Sequence, residues 1–277
     1  MIEIDTYNEQ PNFSVIVTAR CNMHCAFCSN PDVNDGDTSA WLERLGRLIW
    51  ELPPKFSQAS VTGGEPLLFS NFHELMSMLR KRFAKVIVST NGTGFADRLE
   101  DLKLANDVNV SYHGLTDSEA AKMFGVADVP EVRSADVRRL AESHTGVTRN
   151  VVILANNNLW AQAVTRYVDE AKERGYTAVA FRYDMREPGG LDMAWVPTLN
   201  GEVVSDSACP VCRTIRVDMD GFPVFFKASV METDGLGDGK AYELIYRHDG
   251  ILSRRWDGAD PIEWEGSKAM TTEESKR

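Results

Sequence analysis

The stretch that decides the fold is "FSVIVTARCNMHCAFC", residues 13–28. Its first seven residues are rich in branched apolar side chains and predict a buried strand, and three cysteines follow immediately. The chain has five cysteines in 277 residues, so most of its thiols lie on this one loop. In a reducing cytosol, clustered thiols bind metal or perform redox chemistry more often than they form disulfides. We therefore expect a metal centre at the end of the first strand.

The composition is that of a folded protein. With 43% hydrophobic and 26% charged residues, the chain can bury a sizeable core. Its net charge of -11 argues against binding long nucleic acid, although a local basic groove is compatible with it. The first ten residues, "MIEIDTYNEQ", do not resemble a secretion signal, and no apolar run reaches membrane-spanning length. We expect a cytoplasmic protein with no membrane partner.

Six predicted strands alternate with helices between residue 13 and about residue 183. In the first helical stretch, "TSAWLERLGRLIWEL" at 38–52, apolar side chains recur on one face. Strand and helix alternation implies parallel strands joined by right-handed crossovers. A full eight-unit barrel needs about 250 residues. We therefore predict an α/β fold, a partial (β/α)6 TIM-like barrel over residues 1–188.

Residues 189–277 differ in composition and contain more Gly, Asp and Pro. The stretch "IRVDMDGFPVFF" at 215–226 predicts a β-hairpin with an Asp-Gly turn. We expect a small C-terminal hairpin-and-helix module here, ending in the polar, frayed tail "SKAMTTEESKR".

The cysteine loop and two later motifs resemble the radical S-adenosylmethionine (SAM) superfamily. The loop has the spacing C-x3-C-x2-C with an aromatic residue before the last cysteine, in "CNMHCAFC". Three thiolates can bind three irons of a cubane and leave the fourth iron open. "TGGEPLL" at 62–68 ends the second predicted strand and "STNG" at 89–92 ends the third, in the order that the superfamily shows. The resemblance covers residues 13 to about 183.

This resemblance implies two cofactors, a [4Fe-4S] cluster and SAM. It assigns the cluster to Cys21, Cys25 and Cys28. Gly63 and Gly64 lack side chains, and the resemblance implies that their backbone receives the methionine ammonium of SAM, to which the Glu65 carboxylate can add a charge-assisted contact. The other candidate SAM contacts are Phe27, Asn91, Ser111, Asn156 and Arg182. His113 follows the fourth strand and is the candidate catalytic residue, with a structural hydrogen-bonding role as its alternative.

A zinc knuckle is the main alternative to the iron-sulfur centre. His24 lies beside Cys25 and could complete a Cys3His ligand set. That alternative does not explain why "GGEP" and "STNG" end successive strands, although each motif taken alone is also typical of a plain turn.

The C-terminal region resembles a second module of the superfamily, the auxiliary-cluster module called SPASM or twitch. The similar stretch is "CPVCRTIRVDMDGFPVFF" at 209–226, and "GLGDGKAYELIYRHDGI" at 235–251 is similar to that module's closing helix. Phe226 stands where relatives carry a further cysteine. Because Cys209 and Cys212 cannot form a four-thiolate site alone, we expect a degenerate module that has lost its cluster.

The resemblance implies an enzyme. A reduced cluster donates one electron to SAM, and the resulting 5'-deoxyadenosyl radical abstracts hydrogen from a substrate in the barrel. A flavodoxin- or ferredoxin-type electron donor is implied as a partner. We expect a peptide or a small metabolite as substrate, with a nucleotide or nucleoside as the alternative. An iron-sulfur or zinc-binding module without turnover is the alternative from another class.

Overall fold

The computed structural model describes residues 2–28, 38–153, 161–183, 196, 199–208, 212–229 and 239–264. Its first part alternates strands and helices. The elements are β1 (Asn12–Ile16), α1 (Thr38–Glu51), β2 (Gln58–Thr62), α2 (Phe72–Arg82), β3 (Lys85–Thr90), α3 (Leu99–Leu102), β4 (Asp107–Ser111), α4 (Asp117–Phe124), α5 (Ser134–Glu142), β5 (Gly146–Ile153), α6 (Ala161–Arg174) and β6 (Ala178–Tyr183).

Strands β1 to β6 are hydrogen-bonded neighbours in chain order, and every adjacent pair is parallel. The predicted partial (β/α)6 TIM-like barrel is therefore confirmed. In a parallel arrangement, the C-terminal ends of all strands lie at one edge of the sheet, where barrel active sites are built. The loops that carry "CNMHCAFC", "TGGEP" and "STNG" all leave the sheet at this edge.

One face of the sheet is apolar and packs against the helices. Side chains that alternate along the strands are almost fully buried, among them Val15, Val61, Val88, Val108, Val151 and Phe181. The predicted apolar face of α1 packs here through Trp41, Leu45 and Leu48. Burying each such side chain stabilises the fold by about 1.5–3 kcal/mol.

The opposite, inward face is polar. Asn12 accepts hydrogen bonds from Gln58 and Ser60 across the β1–β2 pair, at 3.1 and 2.9 Å. Ser14 and Asn12 donate to the carboxylate of Glu243, at 2.7 and 3.1 Å. Because side chains on a strand alternate between its two faces, this polar set lines the inside of the barrel while the apolar set faces the helices. The sequence thus encodes a chamber with polar walls.

The C-terminal strands extend the same sheet at both edges. They are β7 (Glu202–Ala208), β8 (Cys212–Met219), β9 (Phe222–Ser229), β10 (Glu243–Tyr246) and β11 (Leu252–Ser253). The predicted hairpin is confirmed as β8–β9, whose turn residues Asp220 and Gly221 have φ of 55° and 77°, as a type I′ turn requires. Strand β9 pairs in parallel with β6, and β10 pairs in parallel with β1.

One sequence expectation about helices was wrong. The predicted closing helix contains strand β10, whose Tyr246 is fully buried and stacks on Trp41 at 5.3 Å. The sequence also predicts a helical stretch from about 131 to 145, which is confirmed as α5 (Ser134–Glu142), whereas α4 before it was not predicted. Cys209 and the polar tail lie outside the described residues. No helix among the residues that the structure describes is long and apolar enough to cross a membrane.

A buried ion pair fixes β4, β5 and α6 to one another. The Arg149 side chain is fully buried and donates to Glu170 at 3.0 Å and to the backbone carbonyls of Tyr112 and Gly114. Its guanidinium also lies 4.9 Å from the Tyr112 ring centroid and 4.8 Å from that of Tyr167. A buried guanidinium depends on its partner, because an unpaired charge in the interior is strongly destabilising.

We predict that Glu170→Ala lowers the free energy of unfolding by about 3 kcal/mol, because it leaves the buried Arg149 charge without its carboxylate. Urea unfolding followed by circular dichroism measures this change. Glu173→Ala, at an exposed position of the same helix, is the matched control and is expected to change stability by less than about 0.5 kcal/mol. Equal midpoints for the two variants would contradict the assignment.

Candidate functional site

The three clustered cysteines lie on the loop that leaves β1 at the C-terminal edge of the sheet. Cys21 and Cys28 are exposed, Cys25 is half-buried, and all three are free thiols. The Cys28 amide donates to the Cys25 carbonyl at 3.0 Å, and the Met23 amide donates to the Cys21 sulfur at 3.4 Å. The loop therefore folds back on itself and gathers its thiols.

The thiols of this loop are close enough to oppose each other's ionisation. Burial, followed by the nearby Cys28 and Cys21, raises the pKa of Cys25 to about 12. Burial also raises the pKa of Cys21, and Glu65 and Cys28 add to that effect. Thiolates this close together repel one another unless positive charge lies between them. Bound metal ions supply that charge, and they keep the coordinating thiols deprotonated. The loop therefore fits the iron-sulfur cluster of the resemblance.

A mononuclear metal site is not formed by the described residues. No group of three His, Cys, Asp or Glu side chains within them converges on a position for one metal ion. A cubane does not require such convergence, because each thiolate binds a different iron. Within the described part of the chain, the Cys3His zinc alternative with His24 therefore has no assembled ligand set.

A buried carboxylate connects the ends of β2 and β3. Glu65 is fully buried and accepts hydrogen bonds from the Leu67 amide at 3.0 Å, the Thr90 hydroxyl at 2.6 Å and the Asn91 amide at 2.6 Å. Burial raises its pKa to about 7, although all three donors favour the ionised form. This carboxylate was predicted to make a charge-assisted contact to SAM, and in the structure both of its oxygens accept hydrogen bonds from protein groups.

Asn91 connects this carboxylate to the cysteine loop. Its side-chain amide donates to the Cys21 sulfur at 3.7 Å and to the Asn22 side chain at 3.0 Å. Asn22 in turn donates to Thr93 at 2.8 Å. Asn91 was predicted as a cofactor residue, and the structure brings it against a predicted cluster ligand. Asn22 and Thr93 were not predicted, because a single Asn or Thr in a loop carries no specific pattern.

The two glycines of "TGGEP" allow two backbone segments to touch. The Gly64 amide donates to the Thr18 carbonyl at 2.7 Å, and the Glu65 amide donates to the Arg20 carbonyl at 2.8 Å. A Cβ on Gly64 would lie 2.1 Å from the Arg20 oxygen, and one on Gly63, where φ is 155°, would lie 2.6 Å from the Thr18 oxygen. Both glycines were expected to leave room for a ligand. In the structure the root of the cysteine loop occupies the space beside both glycines, and the contact of their backbone with SAM stays a prediction.

The other side of the cysteine loop rests on α4. The His24 amide donates to the Phe124 carbonyl at 2.8 Å, and Gly125 packs so closely that a Cβ there would lie 2.6 Å from the His24 oxygen. Met23 packs with Tyr112, Ala120 and Phe124 in a small apolar cluster. These contacts were missed, although "TDSEAAKMFG" at 116–125 carries a capping-box pattern and a terminal glycine that indicate this helix.

His113 lies beneath the aromatic residue of the cysteine motif. Its ring meets Phe27 edge-on with centroids 5.0 Å apart, and its Nδ1 accepts a hydrogen bond from the Val152 amide at 3.1 Å. Burial, helped by the nearby Arg149 charge, lowers the pKa of His113 to about 3. The imidazole is therefore neutral near pH 7, and its geometry is that of a residue that positions Phe27. Its predicted catalytic role stays a prediction.

The remaining predicted SAM contacts are dispersed. Ser111 is the last residue of β4 and pairs in register with Asn150. Arg182 lies near the end of β6, half-buried, with its pKa lowered by burial and raised in part by Glu243. Asn156 lies outside the described residues. Ser111 and Arg182 thus lie near the same edge of the sheet as the cysteine loop, on strands further along it.

We predict that Gly64→Ala lowers both the iron content and the SAM affinity of the anaerobically reconstituted protein. The added methyl group would overlap the Arg20 carbonyl, one residue before Cys21, and force the loop to move. Gly46→Ala in α1 is the matched control, because its nearest neighbour is the flexible Met78 sulfur at 3.2 Å. Iron assay and SAM titration measure both effects. Full iron content in Gly64→Ala would show that this contact does not position the loop.

We predict that Glu65→Gln lowers the free energy of unfolding by about 2–3 kcal/mol and weakens iron retention. The glutamine amide would present a donor to groups that are themselves donors, which leaves at least one of them unsatisfied in the interior. Glu74→Gln, at an exposed position on α2, is the control. Unfolding midpoints and iron release to a chelator measure the two effects. A Glu65→Gln protein that behaves like the control would exclude the proposed connecting role.

This chain resembles known proteins in sequence and in fold. The chain is 28% identical over 167 residues to the GTP 3',8-cyclase of Syntrophomonas wolfei, covering 56% of this chain and 50% of that protein. It is 34% identical over 121 residues to the GTP 3',8-cyclase of Desulforamulus reducens, covering 40% and 37%. The chain thus spans at most about half the length of these curated relatives.

Among solved structures, SuiB of Streptococcus suis bound to S-adenosylmethionine matches with a TM-score of 0.53 at 18% identity, covering 68% of this chain and 42% of that chain. SuiB bound to the precursor peptide SuiA matches with a TM-score of 0.50 at 17% identity, covering 62% and 39%. These matches show a shared fold. The sequence profile of the Radical SAM superfamily matches residues 15–168, more than half of the chain. With its cysteine loop at the C-terminal edge of a parallel partial barrel, this chain belongs to the radical SAM superfamily.

Proposed function

We propose that this chain is a radical SAM enzyme in which Cys21, Cys25 and Cys28 hold a [4Fe-4S] cluster and the polar barrel interior holds the substrate. The observation that carries the proposal is the fixed position of the cysteine loop. The ends of β2 and β3 hold it on one side through Glu65 and Asn91, and α4 holds it on the other.

When bound, the cluster and SAM supply one-electron cleavage of the sulfonium and a 5'-deoxyadenosyl radical that abstracts hydrogen. The protein supplies binding, orientation and exclusion of water. Asn91 donates to the Cys21 sulfur, and a hydrogen bond of this kind tunes the charge that a cluster ligand carries. His113 packs edge-on against Phe27 and so orients the loop that carries the cluster ligands.

We place SAM at the edge shared by the ends of β2 to β6. The proposed contacts are Phe27, Gly63, Gly64, Asn91, Ser111, Asn156 and Arg182. Glu65 would contribute by holding the backbone amide of Asn91. The exposed thiols suit a reducing cytoplasm, where a flavodoxin- or ferredoxin-type donor would deliver the electron.

A peptide or small metabolite is our first substrate class. The polar chamber wall supports it, because hydrogen-bonding side chains such as Asn12, Ser60 and Glu243 already line the interior. The SuiB fold, which this chain resembles, accommodates a precursor peptide in that protein. A nucleotide is the second candidate, and it is favoured by the GTP 3',8-cyclases that this chain resembles in sequence.

We predict that the anaerobically reconstituted protein releases 5'-deoxyadenosine when incubated with SAM and dithionite. Replacing Cys21, Cys25 and Cys28 by Ala removes the cluster ligands, so this triple variant is expected to lose its bound iron and all SAM cleavage. Iron assay and chromatography of the products measure both.

The matched control is the double variant Cys209→Ala, Cys212→Ala, which removes thiols outside the loop. We expect it to keep about four irons per chain and its SAM cleavage. If wild-type protein with a full complement of iron releases no 5'-deoxyadenosine, the chain is better explained as a metal-binding module without turnover. A triple variant that keeps iron and activity would exclude the loop as the cluster site.

A further inference from the structure

Two cations face each other inside the barrel on neighbouring strands. Arg182 of β6 and Lys227 of β9 are register partners in a parallel pair. The residues before them, Phe181 and Phe226, are fully buried and stack on each other at 5.3 Å on the helix side. Because successive side chains of a strand point to opposite faces, Arg182 and Lys227 point into the barrel. We call Arg182 and Lys227 the cation pair.

The cation pair has no carboxylate in direct contact within the described part of the chain. No ion pair shorter than 4 Å is found there for either side chain, although from further away Glu243 favours the charged form of Arg182 and Asp107 that of Lys227. The Glu243 carboxylate accepts hydrogen bonds from Asn12, Ser14 and Trp256 instead. Asp107 is paired with Lys85 at 2.7 Å. The inward acidic groups nearest to the pair are therefore already occupied.

Burial acts on both members of the pair. Burial, followed by the Arg182 and Lys85 charges, lowers the pKa of Lys227 to about 8, and Asp107 opposes this shift. Burial also lowers the pKa of Arg182, and Glu243 opposes that shift. The ammonium also lies 5.3 Å from the centroid of the Phe225 ring, on the same face of β9. Two like charges held together in a partly desolvated position are unfavourable unless an anion joins them.

We propose that the cation pair is the anion subsite of the substrate chamber, so that the substrate carries a phosphate or a carboxylate group. This inference rests on the proposed function and extends it. A guanidinium next to an ammonium offers a planar fork and a point charge, which suits the several oxygens of either anion. The chain as a whole has a net charge of -11, so the attraction is confined to this chamber and does not favour a long polyanion.

The charged ends of the pair reach into the chamber, away from the edge that carries the cysteine loop. Arg182 is the penultimate residue of β6 and Lys227 lies on β9, but the groups that act on them, Glu243, Lys85 and Asp107, are the first residues of β10, β3 and β4. Arg182 was predicted as a SAM contact and Lys227 was not predicted. The depth of the pair in the chamber favours a substrate group as its ligand.

The experiment is isothermal titration calorimetry of the reconstituted protein, saturated with SAM under anaerobic conditions. The probes are inorganic pyrophosphate and succinate. We expect one of them to bind, with pyrophosphate indicating a phosphate-bearing substrate and succinate a carboxylate-bearing one. Lys227→Gln is expected to weaken that binding by about tenfold or more, and Lys227→Arg to retain most of it.

Lys172→Gln is the matched control. Lys172 is exposed on α6 and lies over the Phe222 ring, on the outer side of strand β9. Its replacement by Gln therefore removes one positive charge that lies outside the chamber. Its anion binding is expected to equal that of the wild type. Binding of neither probe, equal binding by Lys227→Gln and wild type, or displacement of SAM by the probe would overturn the proposal. Because the titration needs no turnover, its failure is distinguishable from a failure of wild-type SAM cleavage.

Discussion

The hydrogen bonds of one fully buried carboxylate hold the functional edge of this barrel together. Glu65 follows the two glycines at the end of β2 and accepts from residues that end β3, while its own amide donates to Arg20 at the root of the cysteine loop. Three strand ends thereby meet through one residue. Neighbouring parallel strands already fix the spacing of these ends, so the carboxylate needs to fix only the direction in which each loop leaves the sheet.

Because side chains alternate along each strand, the residues that form the core lie on one face of the sheet and the residues that line the chamber lie on the other. Most of the alternate residues of β1 to β6 that face the helices are apolar, and they form the continuous core. The intervening residues face the chamber and are mostly polar. Thr90 and Arg149 are polar at helix-facing positions: Thr90 donates to Glu65, and Arg149 is held by Glu170, by two backbone carbonyls and by the rings of Tyr112 and Tyr167.

Much of the fold was predictable because it follows local patterns. Six apolar runs separated by helical periodicity predict a parallel barrel, and the Asp-Gly turn at 220–221 predicts the hairpin. Strand β10 was not predictable in this way, because its pairing with β1 joins residues about 230 positions apart, and "ELIY" is too short to distinguish strand from helix. Helix α4 was predictable from its capping box, but it was not predicted, because only the helical stretch at about 131–145 was recognised between β4 and β5.

The sequence predicts which residues form the candidate site but not what each of them contacts. The motifs identified Gly63, Gly64 and Glu65, yet a sequence does not reveal what lies opposite a glycine or where a carboxylate points. Here the answer is protein backbone in both cases, since Thr18 and Arg20 fill the space beside the glycines. These residues hold the root of the loop that carries the thiols, and their contact with SAM stays a prediction.

The hairpin shows how the same alternation joins the C-terminal region to the chamber. Phe226 occupies the position where the resemblance places a thiol, and it packs outward against Phe181. Four register pairs between β6 and β9 hold the hairpin to the barrel. Once Phe226 is fixed outward, its neighbour Lys227 must point inward. The strand therefore extends the wall of the chamber beyond the six-unit barrel.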